Sequence, residues 1–138
     1  MNPHLYLLDT NILSDLIKRP TGTVARKIAS LDSDEMCCSS VIVACELRYG
    51  AFKKNAPALT VKVNQLLDTI ALLPLDLEVQ YKYAELRTAL EKSGTAIGSN
   101  DLLIAAHALT LNLIVVTANE REFSRVPELI VENWLKPL

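Results

Sequence analysis

Leu5-Tyr6-Leu7-Leu8-Asp9-Thr10-Asn11-Ile12-Leu13 is an apolar run that ends abruptly in a carboxylate and passes at once into residues that start a helix. Apolar residues bounded by polar punctuation fit a strand buried on both faces, the kind found in parallel sheets covered by helices. Ligands of such sheets bind in the crevice beyond the carboxyl ends of the strands, which puts Asp9 at the default place for chemistry. Asp and Thr are also good N-caps, and a cap for the next helix is the alternative role for Asp9 or Thr10. Which role holds depends on where the other unusual carboxylates fall.

Working outward, Ile12, Leu13, Leu16 and Ile17 form one helical stripe that Lys18-Arg19-Pro20 ends. Asp15 falls off that stripe and is expected in solvent, outside any site. Val24, Ile28 and Leu31 mark a second helix, and Met36-Cys37-Cys38 a second strand. Ser39 or Ser40 caps a helix running through Phe52 that is apolar almost all round, so it is expected to be largely buried. Glu46 interrupts it, with Ile42, Cys45 and Tyr49 on its side at helical spacing. A buried carboxylate needs partners. An ion pair with Arg48, or an edge position open to water, is the plain alternative to a role in a site.

Further on, Leu59, Val63, Leu66, Leu67 and Ile70 suggest another helix, and Ala71 to Leu75 an edge strand that tolerates Pro74. A long helix is expected from Asp76 to Ser93-Gly94. Ser99 or Asn100 should cap the next one, placing Asp101 in its first turn and Leu103 and His107 in the core. Leu113 to Thr117 reads as a strand that partners the first, and it delivers Asn119-Glu120-Arg121-Glu122-Phe123, one helical turn, to the same sheet edge. Leu129 to Val131 reads as a last strand, with Trp134 packing back. Strands alternating with helices predict the α/β class with a mostly parallel sheet of about five strands.

The length of 138 residues suits one compact domain, and 50% hydrophobic with 22% charged residues excludes a disordered chain. Apolar runs stop short of a membrane span and no secretory leader pattern is present, so a soluble cytoplasmic protein is expected. Three cysteines, two of them adjacent, make neither a disulfide framework nor a zinc site, and small buried thiols are the expectation. The net charge of -2 provides no broad attraction to nucleic acid, so a nucleic-acid partner would need a cation or a local basic rim.

Asp9, Glu46, Asp101 and Glu122, with Asn119, make a candidate acidic pocket. Two carboxylates about 4 Å apart repel by roughly 4 kcal/mol at an effective dielectric of about 20, so several in one site need a cation or raised pKa values. Oxygen ligands without Cys or His suit Mg2+ or Mn2+. A divalent ion so held suits attack of water on a phosphodiester. No Ser-His-Asp arrangement, P-loop or GxGxxG is present.

Leu8-Asp9-Thr10-Asn11-Ile12, Ser39-Ser40 to Glu46-Leu47 with Tyr49-Gly50, Ile97 to Ala105, and Val116-Thr117 to Arg121-Glu122-Phe123 resemble the PIN domain, specifically the VapC-type toxin ribonucleases. The resemblance covers nearly the whole chain, as one PIN-like domain over 1–138, with helices around a central parallel sheet. It implies a Mg2+- or Mn2+-dependent endoribonuclease with Asp9, Glu46 and Asp101 as metal-binding acids. At the fourth acidic position Asn119 replaces Asp directly after the strand, and Glu122 matches the variant that uses a later glutamate. Thr10, Asn11, Ser40 and Asn119 would orient the acids. The resemblance also implies a homodimer, a VapB-like antitoxin whose arm enters the acidic groove, and structured RNA as substrate, with the initiator tRNA anticodon loop first. Arg48, Lys53 and Arg121 are the foremost candidates for holding RNA phosphates, with Lys18, Arg19, Lys54 and Arg125 behind them.

Other classes fit less well. An aspartyl-phosphate phosphatase would want an acid where Asn11 stands, and a receiver domain would want an acidic pair after the first strand. A PIN-like RNA-binding module without turnover and a DNA-directed nuclease share the same acids and remain as alternatives.

Overall fold

In the computed structural model, residues 4–136 are described; Met1, Asn2 and Pro3 at one end and Pro137 and Leu138 at the other, which include the end of the expected tail, lie outside them. The elements run β1 (His4–Leu8), α1 (Thr10–Lys18), α2 (Thr23–Ala29), β2 (Met36–Ser40), α3 (Val41–Lys54), α4 (Pro57–Thr69), β3 (Ala71–Leu73), α5 (Val79–Lys92), α6 (Ser99–Leu111), β4 (Ile114–Val116), α7 (Glu120–Phe123) and β5 (Val131–Glu132). The five strands form one parallel sheet in the order β3-β2-β1-β4-β5, with helices flanking it.

The strand order reverses beside β1, so the crevice between the ends of β1 and β4 is the topological switch point where such sheets bind ligands. Leu8 pairs with Val116 in register, and the next residues, Asp9 and Thr117, therefore emerge side by side. The sheet centre is dry: Leu7, Leu8, Val115 and Val116 are fully buried, as strands covered on both faces must be. Tyr6 meets Trp134 edge to face at 4.8 Å, which closes the C-terminal segment over the sheet.

Several expectations are corrected. Asp15 is only 5% exposed and accepts a hydrogen bond from Arg19 Nη1 at 2.6 Å; three residues after the fully buried Ile12, it lies along the edge of the buried stripe. The helix α3 is not largely buried. Val43, Ala44, Leu47 and Ala51 face the core, while Val41, Cys45, Tyr49 and Phe52 share an exposed stripe, Phe52 at 85%. Cys45 is thus an exposed thiol, whereas burial pushes Cys38 up to about 12 and Cys37 up to about 11. Helix α5 starts at Val79 rather than Asp76, after a turn in which the Asp76 carbonyl accepts from Val79 N. It ends at Lys92, and two residues on Gly94 adopts a φ of 68° that is open to glycine. The last strand falls at Val131–Glu132, just beyond the expected one.

His107 is buried, as expected of a core histidine, with Nδ1 2.9 Å from Ser40 Oγ; its Nε2 is buried without a well-formed hydrogen bond. Burial holds its pKa below the usual value, against the opposing pull of Asp76 and the Pro74 carbonyl.

On α6 the core position is Ile104, fully buried, whereas Leu103 is only half-buried. Ile104→Ala should lower stability by about 2–5 kcal/mol, and Leu103→Ala by clearly less. Urea midpoints of the two variants measure the difference, and equal losses would contradict the packing.

Candidate functional site

Asp9 caps the next helix and also reaches the end of the neighbouring strand. As N-cap of α1, its Oδ1 accepts from Thr10 N at 2.8 Å. Its Oδ2 accepts from Thr117 Oγ1 at 2.8 Å and, more weakly, from Asn11 Nδ2 at 3.4 Å. Its own N–H donates to Val116 O, so the carboxylate is fixed to the ends of two neighbouring strands. Burial raises its pKa, with the Glu46 charge adding to that, against the hydrogen bonds from Thr117, Thr10 and Asn11.

Thr10 next joins Asp9 to α3. Its hydroxyl donates to Glu46 Oε1 at 2.7 Å, while Asn100 Nδ2 lies 3.4 Å from Glu46 Oε2. Glu46 is half-buried and makes no ion pair with Arg48, which lies 200° round the helix by ideal geometry and donates instead to Asn64 Oδ1 at 2.5 Å.

Helix α6 brings the third acid. Its N-cap is Gly98 rather than Ser99 or Asn100, and no side chain caps it. Gly98 N donates to Glu122 Oε1 at 2.8 Å, so α7 is tied to the start of α6. Asp101 sits in the first turn, and Asn119 Nδ2 bridges it to Glu122, at 3.0 Å from Asp101 Oδ2 and 2.6 Å from Glu122 Oε2. The two carboxyl groups titrate as a pair, with Asp101 shifted up and Glu122 shifted down. Asp101 is pushed up to about 7 by burial, the Glu122 hydrogen bond and the charges of Asp9, Glu122 and Glu46. Glu122 is held below its usual value by that bond from Asp101 and by donors from Gly98 and Asn119.

The structure thus gathers Asp9, Glu46, Asp101 and Glu122 into one electrostatic unit, with Thr10, Asn11 and Asn119 bonded to its acids. Ser40 is not so bonded: its hydroxyl accepts from Ile42 N as the N-cap of α3 and pairs with His107. Of the cations, Arg121 is an exposed residue of α7 next to Glu122 in sequence, and Lys53, exposed on α3, lies 5.8 Å above the Tyr49 ring. Thr117 was missed, although it is fully buried and joins Asp9 Oδ2 to Asn119 N. A Thr ending the partner strand, level with Asp9, was its signal. Ser39, also missed, donates to the Leu8 carbonyl at 2.6 Å and fixes the end of β1.

Among the described residues, no three His, Cys, Asp or Glu side chains are close enough to hold a metal ion as they stand. The donor chemistry nevertheless fits a hard divalent cation: the acids supply only oxygen, and burial together with the neighbouring carboxylates raises the pKa of Asp101.

The family model for the PIN domain matches residues 6–129. Ribonuclease VapC2 of Rickettsia felis is 38% identical over 96% of this chain and 99% of its own length. The tRNA(fMet)-specific endonuclease VapC of Salmonella typhimurium is 34% identical over 94% of this chain and 97% of its own. Among solved structures, VapBC2 from Rickettsia felis, bound to a DNA fragment from its promoter, contains a chain with a TM-score of 0.88 and 37% identity, covering 94% of this chain and 98% of that one. The chain belongs to the PIN-domain family, in its branch of VapC ribonucleases.

The Asp101 shift has a direct consequence for stability without metal. Its folded pKa of about 7 lies above the 3.8 reference, so between those values the folded state binds more protons than the unfolded chain. Stability from this group is therefore full below about 4, falls as pH rises, and is lost above about 7. In the presence of chelator, Asp101→Asn should raise the urea midpoint relative to wild type more at pH 8 than at pH 5. An equal effect at both pH values would contradict the electrostatic origin of the shift.

Proposed function

We propose that this chain is a Mg2+- or Mn2+-dependent endoribonuclease toxin that cleaves structured RNA, tRNA first, and is silenced by a VapB-like antitoxin. The observation that carries the reading is the convergence of four carboxylates at the β1/β4 switch point, which raises the pKa of Asp101 to about 7. The name of the Salmonella relative supports tRNA, with the initiator anticodon loop as the first candidate.

Asp9, Glu46 and Asp101 would hold the cation, and Glu122 supplies the fourth carboxylate of the catalytic group. A bound divalent ion offsets their repulsion and stabilises the negative charge that grows on the phosphate during displacement. Thr117 and Asn11 orient Asp9, Thr10 orients Glu46, and Asn119 sets the spacing of Asp101 and Glu122. Arg121, next to Glu122 in sequence, and Lys53 would bind RNA phosphates; Arg48, bonded to Asn64, is the weakest of the three.

A groove of about 200 Å3 between α1, α3 and α4 favours the antitoxin. Ile17, Leu47, Ala51, Leu59 and Val63 give it an apolar wall, and Thr10 and Glu46 line it too. An arm with apolar residues and one cation would fill the groove and neutralise Glu46. We further infer that residues 1–138 act as one domain, as a homodimer in the cytoplasm; no helix among the described residues is long and apolar enough to cross a membrane.

The test is cleavage of a total tRNA pool by folded, antitoxin-free protein. Wild type should produce discrete fragments with Mg2+ or Mn2+ and none with chelator, and Asp101→Asn should lose at least about 100-fold in rate, the order expected when groups that stabilise transition-state charge are disabled. Full cleavage by Asp101→Asn would remove the acidic pocket from the mechanism. No cleavage of any RNA by wild type would favour a binding module.

A further inference from the structure

Beside the acids, adjoining the apolar groove along the Thr10, Ser14 and Lys18 row of α1, lies a second groove of about 510 Å3. Thr10, Asn11, Ser14, Lys18 and Leu135 line it together with Asp15 and Arg19. Thr10 and Asn11 are also the residues bonded to Glu46 and Asp9, so this groove opens directly off the carboxylate pocket.

Stability does not explain the pair within it. Asp15 is 5% exposed, its Oδ1 accepts from Arg19 Nη1 at 2.6 Å, and its Oδ2 is buried without a hydrogen-bond partner. An i,i+4 pair whose arginine is 68% exposed returns little, whereas a buried carboxylate with an idle oxygen is costly to keep. What the pair does provide is a fixed arginine. Arg19 N donates to Asp15 O at 2.7 Å, and Gly22 N donates to Arg19 O at 2.9 Å. A Cβ at Gly22 would come within 2.9 Å of Arg19 Cβ, so glycine is what lets this turn close against the arginine. The carboxylate engages one guanidinium nitrogen, and the other N–H groups of this exposed arginine are left for a second anion, such as a phosphate.

We propose, on the basis of the ribonuclease reading, that Asp15 holds Arg19 as a clamp for a backbone phosphate of the RNA strand running from the carboxylate pocket along α1. The nine residues of α1 span about 14 Å, so the clamped phosphate is not the one being cleaved but a neighbour along the strand. Apart from Leu135 this groove is lined by polar and charged groups, which suits a sugar-phosphate backbone. The other groove, though Lys18 and Lys54 also line it, has the apolar wall of Ile17, Leu47, Ala51, Leu59 and Val63 that suits a protein arm. Arg19 binds substrate and Asp15 is a positioning residue.

Initial rates of fragment formation from a tRNA pool, measured against RNA and salt concentration, test this. Arg19→Ala should raise KM about 5- to 20-fold, with the loss falling on KM rather than kcat, and should reduce the slope of log KM against log salt by about 0.7, the change for one phosphate contact on a single strand. Arg19→Lys should recover part of the loss, because a lysine keeps the charge but not the fork. Asp15→Asn should shift KM in the same direction by less, and Gly22→Ala should do so without altering either charge. Lys82→Ala, on α5 and paired with Glu85, serves as the surface control. Unchanged KM and salt slope in Arg19→Ala, while wild type still cleaves and Asp101→Asn does not, would overturn the clamp alone. Unchanged KM with weakened antitoxin binding would likewise overturn it, assigning Arg19 to the protein partner. Failure of wild type to cleave any RNA would remove the reading on which the clamp stands.

Discussion

The hydrogen bond from Thr117 Oγ1 to Asp9 Oδ2 joins the ends of two parallel strands at the point where the sheet reverses its order, and the rest of the site is assembled on it. Asp9 is buried, so its charge depends on the donors that reach it. Thr117 is one of these donors, and the same hydroxyl accepts from Asn119 N. The position of Asn119 in turn decides where Asp101 and Glu122 stand, since its amide lies between them. Ala118 N donates to Asn11 Oδ1, which ties the loop after β4 back to α1. A shift in the β1/β4 register would therefore displace three acids together, and register is set by the fully buried Leu8 and Val116.

Electrostatically the site is under tension by construction. Burial first, and then the charges of the other three carboxylates, raise the proton affinity of Asp101. Asn119 moderates it by placing an amide donor between two acids. The arrangement lowers the pKa of Glu122 and raises that of Asp101, a division that a bound cation would reduce. Strain of this kind is consistent with a site kept for chemistry rather than for stability. The Asp15–Arg19 pair on the same helix has the same character, a buried carboxylate whose return lies in what it positions.

Much of this was legible in the sequence, for physical reasons that can be named. The β1 and β4 runs and the stripes of α1, α4 and α5 carry their periodicity openly, so the α/β class and the parallel sheet followed from pattern. Asp9, Glu46 and Asp101 stood out because each is a carboxylate where apolar neighbours predict burial. Asp15 did not, because stripe membership on a helix separates core from boundary poorly when an ion pair lets the carboxylate lie along the edge. The exposed stripe of α3 was hidden for the opposite reason: apolar composition shows what can be buried, not what is. Ser40 looked like a residue of the acidic pocket by its motif, yet a hydroxyl at a strand-helix junction is first claimed by the backbone N–H groups beside it. Thr117 escaped because its role depends on the pairing of strands more than a hundred residues apart in sequence.

The most direct measurement is a crystal structure of the chain with Mn2+, with the ion located by its anomalous signal. The account predicts a single strong peak between Asp9 and Asp101, with carboxylate oxygens at about 2.0–2.2 Å, Glu46 within reach directly or through water, and Asn119 drawn away from Asp101. Manganese bound elsewhere at saturating concentration, with Asp101 still bonded to Asn119, would contradict the claim that this carboxylate group is built to hold a cation.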